Sequence, residues 1–283
     1  MTSDLPGGAS GRYDVLGRLD TDYYAVFSDI PDADRDVWQR TQGFVDEVGD
    51  RMREAWDAAE YPLDIARRFG ELDLLNDGID HPRLTRFSPL AAGLVNMEIS
   101  RGDGSLGTVL AVQGGLALRT LALFGGDAQQ ERWLTPVARF EVPAAFALTE
   151  PDHGSDSVSL ETVARRDGDE WVLRGAKKWI GNGASGGITF VWARVDDEGD
   201  EHHGNVRCFL VEQDRPGYTG TVIGGKASLR GIHQAHIALD DVRVPTDAVL
   251  PGTRTFKDAS TVLYATRSGV AWSALGHATA CYE

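Results

Sequence analysis

Between residues 37 and 60 the apolar positions Val37, Trp38, Phe44, Val45, Val48, Met52 and Trp56 recur at the three-to-four spacing that places side chains on one helix face. Asp32 to Asp34 supply a cap for that segment, and Tyr61-Pro62 ends it, with Pro62 suited to the first turn of a short helix through Phe69. The same spacing predicts helices over about 90–100 and 106–124. Asp127-Ala128-Gln129-Gln130 reads as a capping box that opens another helix through Arg139. At Pro143 the pattern changes. Runs rich in β-branched and aromatic residues, at 144–149, 160–165, 170–173, 177–180, 188–194, 206–212, 218–223 and 235–244, alternate with turns. Arg166-Asp167-Gly168-Asp169 is a hairpin signal, because Asp-Gly lies between two strand-like runs. Residues 196–205 form a polar, acidic loop. After Pro251-Gly252 the pattern is helical again from about 260 onward, with Val262, Leu263, Val270, Leu275 and Ala278 near one face. The chain therefore reads as α+β: an all-α helical domain at 1–142, an antiparallel β-barrel or sandwich domain at 143–252, and the start of a further helical domain at 253–283. No Gly, basic turn or cap follows Cys281-Tyr282, so the last helix reads as one cut short.

Composition narrows the classes. The 283 residues are 42% hydrophobic and 25% charged, ordinary for a globular chain with ample length for a core. Apolar runs are broken by charge or Gly short of a membrane span, and the N-terminus lacks the basic and apolar regions of a secretory signal. Cys208 and Cys281 are far apart without metal spacing, which favours reduced thiols in a cytoplasmic setting over a disulfide framework. The formal charge of −15, from 28 basic and 43 acidic residues, argues against nucleic acid or an anionic membrane as partner. A phosphate-bearing ligand would need local cations to override that field, and Lys226, Arg230, Arg243 and Arg267 are the candidates. The Gly- and Ala-rich stretch 104–126 has neither a preceding strand nor a Lys-Ser/Thr ending, so it is not a nucleotide P-loop.

Two segments carry chemistry. Phe146-Ala147-Leu148-Thr149-Glu150-Pro151-Asp152-His153-Gly154-Ser155-Asp156 reads as a buried strand broken by Pro and followed by a small-residue turn. A strand end offers backbone donors and acceptors, and Gly154-Ser155 lets the chain approach a pyrophosphate. Lys177-Lys178-Trp179-Ile180-Gly181-Asn182 places an aromatic at a strand end beside a Gly turn. In order and separation these two segments resemble the flavin-facing segments of the acyl-CoA dehydrogenases. Lys226-Ala227-Ser228-Leu229-Arg230-Gly231 and Leu239-Asp240-Asp241-Val242-Arg243-Val244-Pro245 resemble the stretch that closes that family's β-domain. Arg267-Ser268-Gly269-Val270-Ala271-Trp272 resembles the opening of its C-terminal helical domain. The likeness runs from about 30 to 283. It is strongest to the glutaryl-CoA dehydrogenase branch, which also resembles a peroxisomal acyl-CoA oxidase.

The resemblance implies an FAD-dependent oxidoreductase of fatty acid or amino acid catabolism that desaturates an acyl-CoA between its α and β carbons. It implies electron-transfer flavoprotein as acceptor and a homotetramer as the full-length assembly. Phe146, Ala147, Leu148, Thr149, Gly154, Ser155, Trp179, Ile180 and Gly181 would contact the flavin, Trp179 against the isoalloxazine. Ser155 and Arg267 would meet the acyl-CoA. The family's catalytic Glu would lie beyond Glu283, so no catalytic residue is expected here and the chain alone is expected to be inactive. An acyl-CoA oxidase, or a non-catalytic acyl-CoA or flavin-binding module, is the alternative. Two positions depart from the family pattern. Gly181 stands where a Thr is usual, which removes a hydroxyl. Leu106-Gly107-Thr108 stands where glutaryl-specific members carry a Tyr-Arg-Ser stretch, so a distal carboxylate would lack its cation. His202-His203 reads as solvated, His233 and His236 have no assigned role, and Glu150 and Asp156 are expected to bond backbone rather than to act as bases.

Overall fold

The computed structural model describes residues 21–22 and 24–283. Helix α1 (Asp32–Ala58) begins directly after Pro31, with Asp32 and Asp34 in its first turn where carboxylates face unpaired N–H groups. It stops at Ala59, which is left-handed (φ 56). The short α2 (Leu63–Glu71) follows Pro62, and α3 (Pro89–Gly102) is capped by Ser88, whose Oγ accepts from Ala91 N–H at 2.9 Å. Helix α4 (Gly104–Leu110) continues through a π-helical segment (Ala111–Leu118) into α5 (Arg119–Phe124). Contrary to the expectation from the sequence, this continuous helix is long and apolar enough to cross a membrane, but 67% of its apolar window is buried inside the protein. It is the core helix of the molecule. In α6 (Asp127–Ala138) the Gln129 side chain reaches back and accepts from Gly126 N–H at 3.0 Å.

Seven strands form one sheet among the described residues: β1 (Ala144–Ala147), β2 (Val163–Asp167), β3 (Glu170–Gly181), β4 (Ile188–Val195), β5 (Val206–Glu212), β6 (Tyr218–Val222) and β7 (Gln234–Pro245). The expected runs 170–173 and 177–180 are one strand, continued across two register shifts against β7. The sheet is also mixed rather than wholly antiparallel, because β1 and β2 both pair with β4 in parallel. The hairpin signal holds, with Asp167 opposite Glu170 and Gly168 at φ 63.

Burial explains the two kinds of strand. Strands β1, β4 and β5 are covered on both faces and are nearly continuous in apolar residues. One face, with Phe146, Phe190, Trp192 and Leu210, packs against α5, α6 and the later helix that carries Ala259 and Val262; the other, with Ala147, Val191 and Phe209, packs inside the curl of the sheet against β3 and β7. Strands β3 and β7 alternate, because one of their faces meets solvent. The final helical region begins earlier than its periodicity implies, at α7 (Phe256–Ala265) capped by Thr255, and breaks at Thr266 before α8 (Arg267–Tyr282). Helix α8 lies along α3 so closely that a Cβ on Gly93 would overlap the Trp272 ring.

Candidate functional site

The chain leaves β1 at Leu148 and turns at Glu150-Pro151. Glu150 is buried, and its carboxylate accepts from Glu161 N–H (2.6 Å), Thr162 N–H (2.9 Å) and Thr162 Oγ1 (2.5 Å). The fourth donor is Lys177 Nζ at 2.9 Å, which also donates to the Leu148 carbonyl at 3.1 Å and the Trp192 carbonyl at 2.7 Å. Lys177 is fully buried, so each of its three protons needs an acceptor and has one. Burial raises the Glu150 carboxyl, but Lys177 and the surrounding donors outweigh it and hold the group below its ordinary 4.5. Burial pulls the Lys177 ammonium down to about 8, with Glu150 resisting. This pair ties the exit of β1 to β2, β3 and β4. Glu150 is occupied as a fastening, not free as a base. Asp156 differs from expectation: among the described residues no hydrogen bond to its exposed carboxylate is present.

Immediately beyond Lys177, Lys178 N–H donates to the Thr149 carbonyl at 3.0 Å, so the end of β1 and the middle of β3 lie one backbone hydrogen bond apart. Trp179 falls within the register shift between Lys177 and Ile180 and adopts φ 64. A left-handed aromatic residue is strained, and it persists here because buried Lys177 and Ile180 hold the chain on either side. The bulge aims the indole outward. Its side chain is 49% exposed, with Lys178 Nζ 5.6 Å from the ring centroid.

Of the other residues expected to meet a flavin, Thr149 is half-buried beside this notch, and Gly154 and Ser155 lie exposed on the turn that follows it. A Cβ on Gly154 would meet open space. Phe146, Ala147, Leu148 and Ile180 have side chains in the core, Phe146 against Trp192 at 5.8 Å, which leaves them only backbone to offer. Gly181 is buried, and a Cβ there would come within 3.0 Å of Val112 Cγ2 on the π-helical segment. Next to it, Asn182 accepts from Tyr61 Oη at 2.9 Å and donates to Gln113 Oε1 and the Ala144 carbonyl, both at 3.2 Å. That network joins the core helix to the ends of β1 and β3.

Arg267 is exposed at the start of α8 with its guanidinium 5.6 Å from the Tyr264 ring centroid. The other cations considered for phosphate are committed elsewhere. Lys226 donates to the Leu229 and Ile232 carbonyls, Arg230 to the carbonyls of Trp56 and Asp57, and Arg243 to Asp167 and Glu170. Among the described residues no group of three His, Cys, Asp or Glu could hold a metal. On the side of the core helix away from the sheet, a cavity of about 250 Å³ separates α3, α4 and α8. Gly107 and Thr108, from the stretch singled out for lacking a cation, lie on its wall.

Reasoning from sequence missed Lys177 and Val112. Lys177 was within reach, since Trp171 and Leu173 set the inward parity of β3 and Lys177 continues it. Nothing local to Val112 signals that it packs on a residue 69 positions later along the chain, at Gly181.

Two family profiles match: residues 31–141 match the N-terminal domain and residues 145–242 the middle domain of acyl-CoA dehydrogenases. The short-chain specific acyl-CoA dehydrogenase of Rattus norvegicus mitochondria is 32% identical over 272 residues, spanning 94% of this chain and 64% of its own length. A glutaryl-CoA dehydrogenase of Mycobacterium smegmatis, solved in complex with FADH2, superposes with a TM-score of 0.85 at 32% identity, over 91% of this chain and 65% of that one. A chain in the electron transferring flavoprotein structure of Acidaminococcus fermentans superposes at 0.80 with 27% identity, over 87% of this chain and 65% of that one. These residues thus span about two-thirds of such relatives.

Proposed function

The chain belongs to the acyl-CoA dehydrogenase family, and from that membership and the notch between Thr149 and Trp179 we propose that it supplies the flavin-facing part of an FAD-dependent enzyme that desaturates acyl-CoA thioesters between the α and β carbons. The strained backbone of Trp179 carries the proposal, since it spends stability to hold a flat aromatic surface in solvent beside a strand end. The residues fit FAD. Trp179 offers a face for the isoalloxazine, Leu148 and Thr149 offer backbone groups for its polar edge, and the open turn at Gly154-Ser155 can approach a pyrophosphate. Bound there, FAD supplies the acceptor for the β-hydrogen as hydride.

The chain's own part is to hold that acceptor in place and keep it dry. Lys177 and Glu150 fix the carbonyl of Leu148, and with it the wall on which the ring rests. Trp179 covers the ring against water. Ser155, and Arg267 from α8, are assigned to the acyl-CoA. The carboxylate that removes the α-proton is assigned to the part of the family's length that these residues do not span. Electron-transferring flavoprotein as electron acceptor and a homotetrameric assembly complete the reading.

Adding FAD and then butyryl-CoA to the protein, expressed from its complete reading frame, tests it. Stoichiometric flavin uptake and bleaching of the visible flavin band are expected, and Trp179→Ala should weaken FAD binding about tenfold through lost stacking. A protein that takes up no flavin overturns the proposal.

A further inference from the structure

Strand β1 pairs with β4 in a parallel ladder whose phase is fixed at its start, where Ile188 N–H donates to the Pro143 carbonyl at 3.0 Å. In that phase the donors on the β1 side are alternate residues, Ala145, Ala147 and then Thr149, and the acceptor due to Thr149 is the Trp192 carbonyl. The ladder stops short of it, at the pair of Ala147 with Val191. Lys177 Nζ sits on the Trp192 carbonyl instead, at 2.7 Å. Among the described residues Thr149 N–H therefore has no acceptor, although its own carbonyl is bonded by Lys178 N–H. A half-buried backbone donor without a partner is uncommon and calls for a group to meet it.

The same ammonium acts on that donor from behind. It donates to the Leu148 carbonyl at 3.1 Å, and this carbonyl belongs to the peptide unit that carries the Thr149 N–H. A cation on the oxygen of a peptide draws electron density from its nitrogen, so the N–H becomes a stronger donor. The effect is local, because Lys177 and Glu150 are both buried, lie 2.9 Å apart and cancel in net charge. With Lys178 N–H on the Thr149 carbonyl, the chain is fastened on both sides of the free donor.

Resting on the FAD reading above, we propose that Lys177 is a positioning residue for reduction of the flavin. By taking the Trp192 carbonyl it keeps the Thr149 N–H open for the flavin's polar edge, and by bonding the Leu148 carbonyl it strengthens that donor. Reduction of FAD by two electrons and one proton adds a negative charge to the ring. A stronger donor favours that charged state over the neutral, oxidised one.

Midpoint potentials of the FAD-loaded protein, expressed from its complete reading frame and titrated with dithionite against an indicator dye, test this. Lys177→Met with Glu150→Gln removes the ammonium without stranding the carboxylate and leaves the net charge unchanged. Reduced flavin should lose about tenfold more affinity than oxidised flavin, a fall in potential of about 30 mV for a two-electron couple. A pair that served only the fold would weaken both flavin states alike and leave the potential where it was. Thr149→Pro removes the same N–H with Lys177 in place; it should lower the potential too, and adding the paired substitution should lower it no further. A second measurement needs no substitution. Glu150 and Cys208 are the titratable groups that act on Lys177; the first is held below its ordinary range, and burial pushes the thiol of the second up. Of the three, only the Lys177 ammonium, pulled down to about 8, titrates in mildly alkaline solution. Reduced flavin holds that proton more firmly, so the wild-type potential should fall more steeply with pH above about pH 8. An unmoved potential in the paired variant, or a slope unchanged through that range, would show that Lys177 serves the fold alone, with the FAD reading left standing. Should the wild type take up no flavin, that reading fails and the role of Lys177 goes with it.

Discussion

Lys177 and Glu150 form a charged pair inside the sheet, where an ammonium would otherwise be excluded. Its value depends on completeness: three acceptors for the ammonium and four donors for the carboxylate. Removing one partner strands the other, so Lys177→Met should cost about 3–5 kcal/mol in urea denaturation, and adding Glu150→Gln should restore much of that loss. The acid side separates the cause. In the wild type the Glu150 carboxyl lies below its unfolded value of 4.5, so its contribution is full above that pH and fades as pH falls through the folded value. In Lys177→Met the same carboxylate is buried without a cation and is relieved by protonation. The stability gap between wild type and variant should therefore narrow below about pH 4.5; a gap that stays constant there would mean the lost lysine acted through packing alone.

Among the elements, β3 shows how one strand serves two ends. Through Leu173 it pairs regularly with β2 and β7; it then shifts register against β7 before Gly175, and shifts again between Lys177 and Ile180, where Trp179 turns outward. The departure at Gly181 has its reason one element away, because Val112 occupies the room that a larger side chain would take. Gly181→Thr alone should cost about 1–3 kcal/mol by overpacking, and Val112→Ala in the same chain should recover most of it. Thermal unfolding of the single and double variants checks this, with equal losses in both as the contrary result. The helical elements were legible to within a few residues because their apolar stripes are local. The long β3 was not. Its central Arg174-Gly175-Ala176 has no apolar signal, and pairing with β7 rather than local preference carries the strand through it.

Across the whole molecule, helices and sheet are bound by polar ties as well as by apolar packing. Arg230 caps the end of α1 and stacks on Trp56 with its guanidinium 5.0 Å from the ring. The Tyr61–Asn182–Gln113 network does the same at the centre. Asn182 is left-handed at φ 60, so its two replacements should differ: Asn182→Gly loses the hydrogen bonds, about 1–3 kcal/mol. Asn182→Ala loses them and adds about 1 kcal/mol of backbone strain. Denaturant curves for both variants should remain single transitions, since the network spans both regions, and a split transition would show that helices and sheet unfold independently.

By itself the chain determined the helical first part, the strand-rich second part, the order of its two motifs and the family they resemble, because periodicity and short motifs are written in neighbouring residues. Only the tertiary structure decided that Lys177 holds Glu150, that Trp179 is strained outward beside Thr149, that Val112 displaces a side chain at Gly181, and that Asp77, Asn96 and Ser100 meet under one cavity. Each of these is a contact between groups distant in sequence, fixed by strand register and helix packing, to which local preference is blind.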